Sequence, residues 1–251
     1  MAELTPQQAL RYARQINLPS MDLEGQERLL NGHVVIVGLG GLGCAAAQYL
    51  CAAGVGYLTL IDDDVVDVSN LQRQILHYPE SVGIPKVASA KLRLKQQNPD
   101  IKLLAVDQKL DKSLLKALLK YHPIVLDCTD NLETRALINA LCFEFKTPLV
   151  SGAAIRMEGQ LMVFTYAEDE PCYHCVSRLF GEQNLSCVEA GVLSPLVGVI
   201  GNLQAIEAIK ILAKIGTPMT STLLHYDASV AEFRKIALTK HPECLVCSAI
   251  D

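Results

Sequence analysis

The run His33-Val34-Val35-Ile36-Val37-Gly38-Leu39-Gly40-Gly41-Leu42-Gly43 decides the fold of this chain. Its first half is continuous and rich in β-branched residues, which is typical of a strand buried on both faces of a parallel sheet. The alanine-rich segment 44–53 predicts a helix after the glycines, and Leu58-Thr59-Leu60-Ile61-Asp62 predicts the next strand. This order of strand, glycine-rich turn, helix and strand predicts a right-handed βαβ unit.

The alternation of helices and strands continues to about residue 151. The sequence predicts helices over 86–97, 113–120 and 132–145. Each is followed by a predicted strand, over 101–106, 124–127 and 148–151. This pattern predicts an α/β fold with a Rossmann-like, doubly wound sheet. Alternating strands such as 160–164 then predict a C-terminal mixed-sheet portion, and no Gly/Ser linker separates the halves. We therefore expect a single domain over 1–251, with a nucleotide-binding half at 1–150 and a second half at 151–251.

Composition and charge exclude several classes of protein. Half of the 251 residues are hydrophobic and only 20% are charged, so we expect part of the surface to meet a second copy of the chain. The net charge of −5 and the absence of any basic run argue against partners such as nucleic acids or anionic membranes. The apolar stretch 192–215 contains regularly spaced polar residues, which predicts a buried or interface helix and not a membrane span. Because no apolar signal segment follows Glu3, we expect a cytoplasmic protein with reduced thiols.

The glycines after the first strand predict a nucleotide-binding turn. At Gly38, Gly40, Gly41 and Gly43 the backbone can approach a phosphate chain closely, and the following helix presents free N–H groups to it. Asp62 ends the second strand, where an acidic residue accepts hydrogen bonds from ribose hydroxyls. An NAD-dependent oxidoreductase would use the same pattern, so the class of nucleotide must be decided by the residues after Asp62.

A dense polar cluster follows the second strand: Asp62-Asp63-Asp64-Val65-Val66-Asp67-Val68-Ser69-Asn70-Leu71-Gln72-Arg73-Gln74. Dinucleotide chemistry does not need such a cluster, whereas a triphosphate does. Arg73 can pair with phosphate oxygens through two hydrogen bonds, Lys86 adds a point charge, and an aspartate can hold Mg²⁺. We therefore favour ATP, with the oxidoreductase and a non-catalytic nucleotide-binding scaffold as alternatives.

The cysteines divide into three groups. Cys172-Tyr173-His174-Cys175 and Cys244-Leu245-Val246-Cys247 each contain two thiols in a loop-like context. Two such pairs supply the four thiolates of a structural Zn²⁺ site, whereas a redox motif would require only one pair. Cys187 lies in the polar loop Asn184-Leu185-Ser186-Cys187-Val188-Glu189. The remaining cysteines lie in apolar segments and are predicted to be buried small hydrophobic residues: Cys44, Cys51, Cys128 and Cys142.

Motifs spread over the whole chain carry a family resemblance. They are Arg11-Tyr12 with Arg14-Gln15, Val37-Gly38-Leu39-Gly40-Gly41-Leu42-Gly43, Ser69-Asn70-Leu71-Gln72-Arg73-Gln74, Asp127-Cys128-Thr129-Asp130-Asn131 and Ser151-Gly152-Ala153-Ala154. By these motifs the chain resembles the ubiquitin-activating-enzyme-like family of MoeB and ThiF. Arg156-Met157-Glu158-Gly159-Gln160 and Ser177-Arg178-Leu179-Phe180-Gly181-Glu182 resemble the MoeB branch more than the ThiF branch.

The resemblance implies an adenylyltransferase that uses ATP and Mg²⁺ and carries Zn²⁺. Its substrate would be the C-terminal Gly-Gly carboxylate of a small ubiquitin-like sulfur carrier. The implied carrier is the small subunit of molybdopterin synthase (MoaD-like), in molybdenum cofactor biosynthesis. The thiamine-pathway carrier ThiS, or another sulfur carrier, is the alternative. The resemblance also implies a homodimer and a separate sulfur donor of the desulfurase or rhodanese type.

The resemblance also implies roles for individual residues. Arg73, Lys86 and Asp130 would act on the phosphates, with Asp130 as the Mg²⁺ ligand, and Arg14 would reach them from the partner subunit. Related proteins form a thioester or persulfide at the position of Cys187, but adenylation needs no protein nucleophile, so its catalytic role stays open. The nucleotide site would comprise Gly38, Gly40, Gly41, Gly43, Asp62, Asp64, Ser69, Asn70, Leu71, Gln72, Arg73, Lys86, Asp130 and Asn131.

Overall fold

The computed structural model describes residues 3–178 and 190–248. The strands are β1 His33–Val37, β2 Tyr57–Asp62, β3 Lys102–Asp107, β4 Ile124–Asp127, β5 Leu149–Ile155, β6 Glu158–Phe164, β7 Thr222–Asp227 and β8 Glu232–Ala237. The helices are α1 Pro6–Arg11, α2 Ala13–Ile16, α3 Asp22–Leu30, α4 Gly41–Ala52, α5 Lys86–Gln97, α6 Lys112–Leu119, α7 Leu132–Glu144, α8 Tyr173–Ser177 and α9 Ser194–Ala213.

One sheet runs through both halves of the described chain. Its eight strands lie in the order β3-β2-β1-β4-β5-β6-β7-β8. The strands from β3 to β5 are parallel, and β6, β7 and β8 continue the sheet in antiparallel pairs. The predicted doubly wound α/β sheet with a mixed C-terminal portion is therefore confirmed.

Helices cover both faces of the sheet, as the continuous apolar strands predict. One core includes Val34 and Ile36 of β1 together with residues of α4 and α9, so it joins the two halves of the chain. The other core includes Val35 and Val37, residues of α6 and α7, and the cysteines of both CxxC pairs. Successive residues of β1 therefore face different cores, which fixes the register of this central strand.

Local chemistry explains where the N-terminal helices begin and end. The hydroxyl of Thr5 accepts from the backbone N–H of Gln8, and the Gln8 side chain accepts from the backbone N–H of Thr5 in return, which makes a capping box. The single helix that we expect to carry Arg11 and Arg14 is divided into α1 and α2 at Tyr12. Tyr12 is buried, and its hydroxyl accepts a hydrogen bond from Asn98. This side-chain anchor fixes the chain where the first helix ends.

Helix α9 has the length and hydropathy of a membrane span, but half of its most apolar window is buried inside the protein. It packs against α3, α4 and β5. Polar residues inside it have partners: the Gln204 amide donates to the carbonyls of Asp127 and Val150, and Glu207 accepts from the backbone N–H of Met219. The helix packs as a core helix, as the sequence predicts.

Candidate nucleotide site and metal centre

The glycine-rich turn joins β1 to α4 and requires glycine at two positions. Gly38 has a φ of 91°, in the left-handed region that favours glycine. A Cβ at Gly43 would lie 1.9 Å from the Gly38 carbonyl oxygen. The N–H of Leu39 donates to the Asp62 carboxylate at 2.6 Å, which ties the turn to the end of β2. The turn therefore has a fixed conformation in front of the N-terminus of α4.

A cavity of about 1040 Å³ lies beside this turn. It borders the carboxyl ends of β1, β2 and β4. At this point the strand order reverses, because the chain continues from β1 to β2 on one side and from β3 to β4 on the other side of β1. Ligands of open α/β sheets bind at such a switch point. Most of the predicted nucleotide-binding residues line this cavity: Gly38, Gly40, Gly41, Asp62, Asp64, Asn70, Arg73, Lys86, Asp130 and Asn131.

The other predicted residues do not line the cavity in the described part of the chain. Gly43 lies in the first turn of α4, and Leu71 ends a short 3₁₀ turn. Ser69 accepts a hydrogen bond from Arg73 through its carbonyl at 3.0 Å, and the carbonyl of Gln72 accepts from the Ser194 hydroxyl. These segments hold the Arg73 side chain and its loop in place.

Of the predicted catalytic residues, Arg73, Lys86 and Asp130 line the cavity and Arg14 does not. Arg14 lies exposed on α2. Cys187 falls within 179–189, outside the described residues. The predicted role of Arg14 at a partner's cavity stays a prediction.

Lys86, Asp62 and Asp64 are charged side chains that lie together at one side of the cavity. The Lys86 ammonium lies 2.7 Å from the Asp64 carboxylate, and its side chain is only 7% exposed, whereas that of Asp64 is 68% exposed. Burial raises the pKa of Asp62, and the nearby Lys86 ammonium opposes that rise. Because Lys86 is buried and positive while its partner remains accessible to water, an incoming phosphate can compete with Asp64 for the ammonium.

Asp130 lies exposed in a loop that follows β4, and buried residues hold this loop. The Asp127 carboxylate accepts from the backbone N–H of Thr129 at 3.1 Å and from its hydroxyl at 2.7 Å. The Asn131 side chain accepts from the N–H of Thr134 and caps α7. The loop is thus fixed on both sides of Asp130.

Sequence reasoning missed two buried residues that line the same cavity, Arg135 and Tyr173. Arg135 is the one cation of α7; it lies in the first turn, directly before the apolar residues Ala136, Leu137 and Ile138 and five positions after Asp130. That placement could have indicated a buried polar role, because an unpaired charge inside an apolar helix is costly. Tyr173 lies between the two cysteines of the first CxxC pair, and the metal-site interpretation of that pair assigns it no role.

The two CxxC pairs meet in one buried cluster. The four Sγ atoms of Cys172, Cys175, Cys244 and Cys247 all lie within 4.8 Å of one another. Cys172 is 3.7 Å from Cys244 and Cys175 is 3.4 Å from Cys247, which is too far for disulfides. Four sulfurs bound tetrahedrally to one Zn²⁺ would stand about 3.8 Å apart, because each Zn–S bond is about 2.3 Å. The donor set therefore fits a structural zinc ion.

N–H groups surround the sulfurs of this cluster. The backbone N–H of His241 donates to Cys175, and the Asn139 side chain donates to Cys172. Burial raises the pKa of the Cys172 and Cys247 thiols, whereas hydrogen bonds from the backbone of Cys247 and Val246 outweigh burial at Cys244 and lower its pKa to about 7. Such donors stabilise thiolate, which is the form that binds a metal.

The remaining described cysteines are buried and free. Burial raises the pKa of the Cys44 and Cys51 thiols to about 12 and that of Cys128 and Cys142 further. A thiol with such a pKa stays protonated at neutral pH and is a poor nucleophile. The prediction that these four cysteines are small hydrophobic residues is confirmed.

Comparison with known proteins identifies the family. The model of the ThiF family matches residues 12–246, which is most of the chain. The chain belongs to the ThiF family. This confirms the resemblance that the motifs indicate.

Relatives within the family match over nearly their full length. The molybdopterin-synthase adenylyltransferases of Salmonella typhimurium and Escherichia coli are 57% and 58% identical to this chain over 247 residues, which cover 98% of this chain and 99% of each relative. The sulfur carrier protein ThiS adenylyltransferase of Escherichia coli is 47% identical over 238 residues, or 95% of this chain and 94% of that protein.

A solved structure shows the same fold at lower sequence similarity. The crystal structure of Escherichia coli MccB with ATP has a TM-score of 0.80 and 22% identity, and the match covers 94% of this chain and 73% of that one. At 22% identity this similarity establishes the fold and does not identify a substrate.

Proposed function

We propose that this chain is an adenylyltransferase that uses ATP to activate the C-terminal glycine carboxylate of a ubiquitin-like sulfur carrier. The observation that carries the proposal is the identity of 57–58% with molybdopterin-synthase adenylyltransferases over nearly the whole chain. The same proteins make a MoaD-like small subunit of molybdopterin synthase the preferred carrier. A ThiS-like carrier is the second candidate, because the ThiS adenylyltransferase is 47% identical.

The cavity supplies what this chemistry requires. A carrier carboxylate oxygen forms a bond to the α-phosphorus of ATP, the bond between that phosphorus and the α–β bridging oxygen breaks, and pyrophosphate leaves with the bonding electrons. The products are the carrier acyl-adenylate and pyrophosphate. Arg73 and Lys86, two of the cations that line the cavity, would hold the phosphates and offset their charge. Asp62 would accept hydrogen bonds from the ribose hydroxyls.

The cavity extends from the nucleotide turn along β5 and β6. Ala153 and Ala154 line this part together with Gln160 and Met162. The small side chains of Ala153 and Ala154 leave space for a narrow peptide, which suits a tail that ends in two glycines. We infer that the carrier tail enters here, so that its carboxylate reaches the α-phosphate beside Gly40 and Gly41.

Two metal ions belong to the proposal. Asp130 would hold Mg²⁺, which neutralises charge on the triphosphate. The four-cysteine cluster would hold Zn²⁺, a closed structural site that adds to folding stability. In this proposal the zinc ion takes no part in adenylation.

The proposal places the enzyme in the cytoplasm as a homodimer in which Arg14 serves the partner's cavity. Sulfur would reach the acyl-adenylate from a separate donor of the desulfurase or rhodanese type. Cys187 would not be needed for adenylation, because the attacking group is the carrier's own carboxylate.

Exchange of labelled pyrophosphate into ATP tests the proposal. We expect exchange with a MoaD-like carrier and less with a ThiS-like carrier. The matched control is each carrier without its terminal Gly-Gly, which should support none. NAD should not compete with ATP. Oxidation of NAD(P)H by the purified protein, without carrier-dependent exchange, would contradict the assignment and favour the oxidoreductase alternative.

A further inference from the structure

One buried imidazole contacts three segments that carry predicted nucleotide-binding residues. The His77 side chain is 4% exposed, and its Nε2 atom lies 3.3 Å from the Leu39 carbonyl oxygen in the glycine-rich turn. Its Nδ1 atom lies 3.0 Å from the hydroxyl of Ser89 on α5, the helix that begins at Lys86. The backbone N–H of His77 donates to the carbonyl of Gln74 in the polar cluster. His77 therefore connects the turn, α5 and the polar cluster.

The hydrogen-bond partners of His77 define its protonation. A carbonyl oxygen only accepts, so the Nε2 atom carries a hydrogen and donates to Leu39. Burial lowers the pKa of His77 despite the opposing effect of this bond, so the ring is neutral at neutral pH and Nδ1 accepts from the Ser89 hydroxyl. The Cys44 thiol donates to the same Leu39 carbonyl at 3.2 Å. Two donors therefore hold this carbonyl on its buried side.

The fixed carbonyl also fixes the N–H group of the same peptide unit. The peptide bond between Leu39 and Gly40 is trans, and the C=O and N–H of a planar trans peptide point in opposite directions. The Gly40 N–H therefore points away from His77, and Gly40 lines the cavity. Within the described part of the chain this N–H has no hydrogen-bond partner. It is thus a free donor at the N-terminus of α4, where a phosphate is favoured.

We propose that His77 is a positioning residue that directs the Gly40 N–H toward a phosphate of ATP. The inference rests on the proposed function, because it requires bound ATP. The imidazole holds the Leu39 carbonyl on the buried side of the turn, and its bond to Ser89 keeps the turn in place relative to α5. The Gly40 N–H and the Lys86 ammonium then face the phosphates together. His77 does not itself line the cavity in the described chain, so it acts through Gly40.

The first test observes the Gly40 N–H directly by nuclear magnetic resonance of protein that contains isotope-labelled glycine. The Gly40 signal is the one that disappears in Gly40→Ala, whose added Cβ meets only the Gln74 amide nitrogen, at 3.9 Å. We expect saturating Mg·ATP to move the Gly40 amide proton of the wild type downfield, because a hydrogen bond to a phosphate oxygen deshields the proton. Adenosine, which has no phosphate, should not cause this shift.

The second test measures the dissociation constant for Mg·ATP in His77→Phe, which keeps a ring and removes both nitrogens. We expect a rise of about tenfold, as for the loss of one hydrogen bond to a charged group. The KM for a MoaD-like carrier in pyrophosphate exchange should not change. His77→Gln, whose amide can donate to the Leu39 carbonyl, should recover most of the affinity.

The matched control is His33→Phe. His33 is a partly buried imidazole whose Nε2 atom lies 2.9 Å from the Thr59 hydroxyl, and it starts β1, at the end of the strand opposite the turn. This variant should bind Mg·ATP as the wild type does. If His77→Phe does not fold, Ser89→Ala takes its place, since it removes the bond that fixes the imidazole, and its affinity for Mg·ATP should fall.

Four results would overturn the inference. A wild-type protein that binds Mg·ATP without a shift of the Gly40 amide proton overturns it and leaves the nucleotide site standing. The same holds if the folded His77 or Ser89 variant binds Mg·ATP as tightly as the wild type, or if His77→Phe weakens Mg·ATP and carrier equally, which would indicate a general loosening. A wild-type protein that binds no Mg·ATP refutes the nucleotide site of the proposed function and the inference with it.

Discussion

At the scale of single residues, Lys86 shows how the protein keeps a buried charge available to a ligand. Its ammonium is paired with the exposed carboxylate of Asp64 rather than with a buried group. Because Asp64 is exposed, water can hydrate its carboxylate when the pair opens. The pair can therefore open when a phosphate arrives, without a large loss of folding free energy.

This arrangement leads to a prediction for Lys86→Gln. The variant should fold normally but lose pyrophosphate exchange by about 100-fold, which is typical when one preorganised charge partner of a transition state is removed. The matched control is Lys91→Gln, an exposed position on the same helix α5, which should keep wild-type activity. Exchange rates and thermal melting would be measured side by side. Similar exchange in both variants would show that Lys86 does not bind the phosphates.

The cysteine cluster supports a second prediction at this scale. Cys244→Ser should lower the zinc content from about one ion per chain and lower the melting temperature, because metal binding to a closed site contributes folding free energy. Cys51→Ala, at a buried thiol outside the cluster, should keep its zinc. Metal content would be measured by atomic emission. Full zinc occupancy and unchanged melting in Cys244→Ser would refute the ligand set.

At the scale of secondary-structure elements, the contact between α4 and the preceding turn decides whether the nucleotide site forms. Gly43→Ala would place a Cβ almost on the Gly38 carbonyl oxygen, so the turn or the helix must shift. We expect a loss of ~2 kcal/mol or more in the free energy of unfolding and weaker ATP binding.

Gly198→Ala is the control for this variant. Gly198 lies in α9, where an added Cβ meets nothing within 4 Å. Alanine is favoured over glycine in a helix by about 1 kcal/mol, so this variant should be as stable as the wild type or more stable. Denaturant unfolding of both variants measures the difference. Equal stability of the two would show that the turn accommodates a side chain at position 43.

The elements of the first half could be predicted because their sequence patterns are distinct. Continuous apolar strands and glycines at the turn mark β1, β2 and β4 without any tertiary information. The hairpin of β7 and β8 could not be predicted in the same way, because every residue of β8 is exposed and its strand pattern is mixed with charges. The division of α1 from α2 also depends on a distant partner, Asn98, which holds Tyr12.

The candidate site shows the same limit. Most of the nucleotide-site residues predicted from motifs line the cavity, because the loops after parallel strands meet at one edge of the sheet. The network around Arg135 could not be predicted from sequence. Its acceptors are carbonyl and side-chain oxygens that come from the loop after β4 and from β5. Only tertiary structure brings these oxygens to one guanidinium.

At the scale of the whole molecule, the exposed position of Arg14 leads to a prediction about shared sites. If the chain forms a two-fold dimer, each cavity would combine Asp130 of one chain with Arg14 of the other. Homodimers of Arg14→Ala or of Asp130→Ala should then be nearly inactive. A mixed dimer of the two variants has one cavity with both residues intact and one cavity with neither.

Subunit mixing measures this prediction. With random pairing about half of the dimers are mixed, so pyrophosphate exchange should recover to roughly a quarter of the wild-type level. The control is each variant mixed with itself under the same conditions, which should stay inactive. Subunit exchange would be verified independently with differently tagged chains. No recovery despite verified exchange would mean that Arg14 acts within its own chain or not at all.

The meeting of the two CxxC pairs also determines how the protein responds to mechanical force. A metal ion there would cross-link Cys172 and Cys175, on the first turn of α8, to Cys244 and Cys247, which follow β8. Tension applied beyond Cys247 would then pass to the core around α7 and α8 before it reached β8. An edge strand is the weakest place from which to unravel a sheet, since one side of it has no neighbour. The cross-link would protect β8 from being peeled away by a machine that pulls on the C-terminal end.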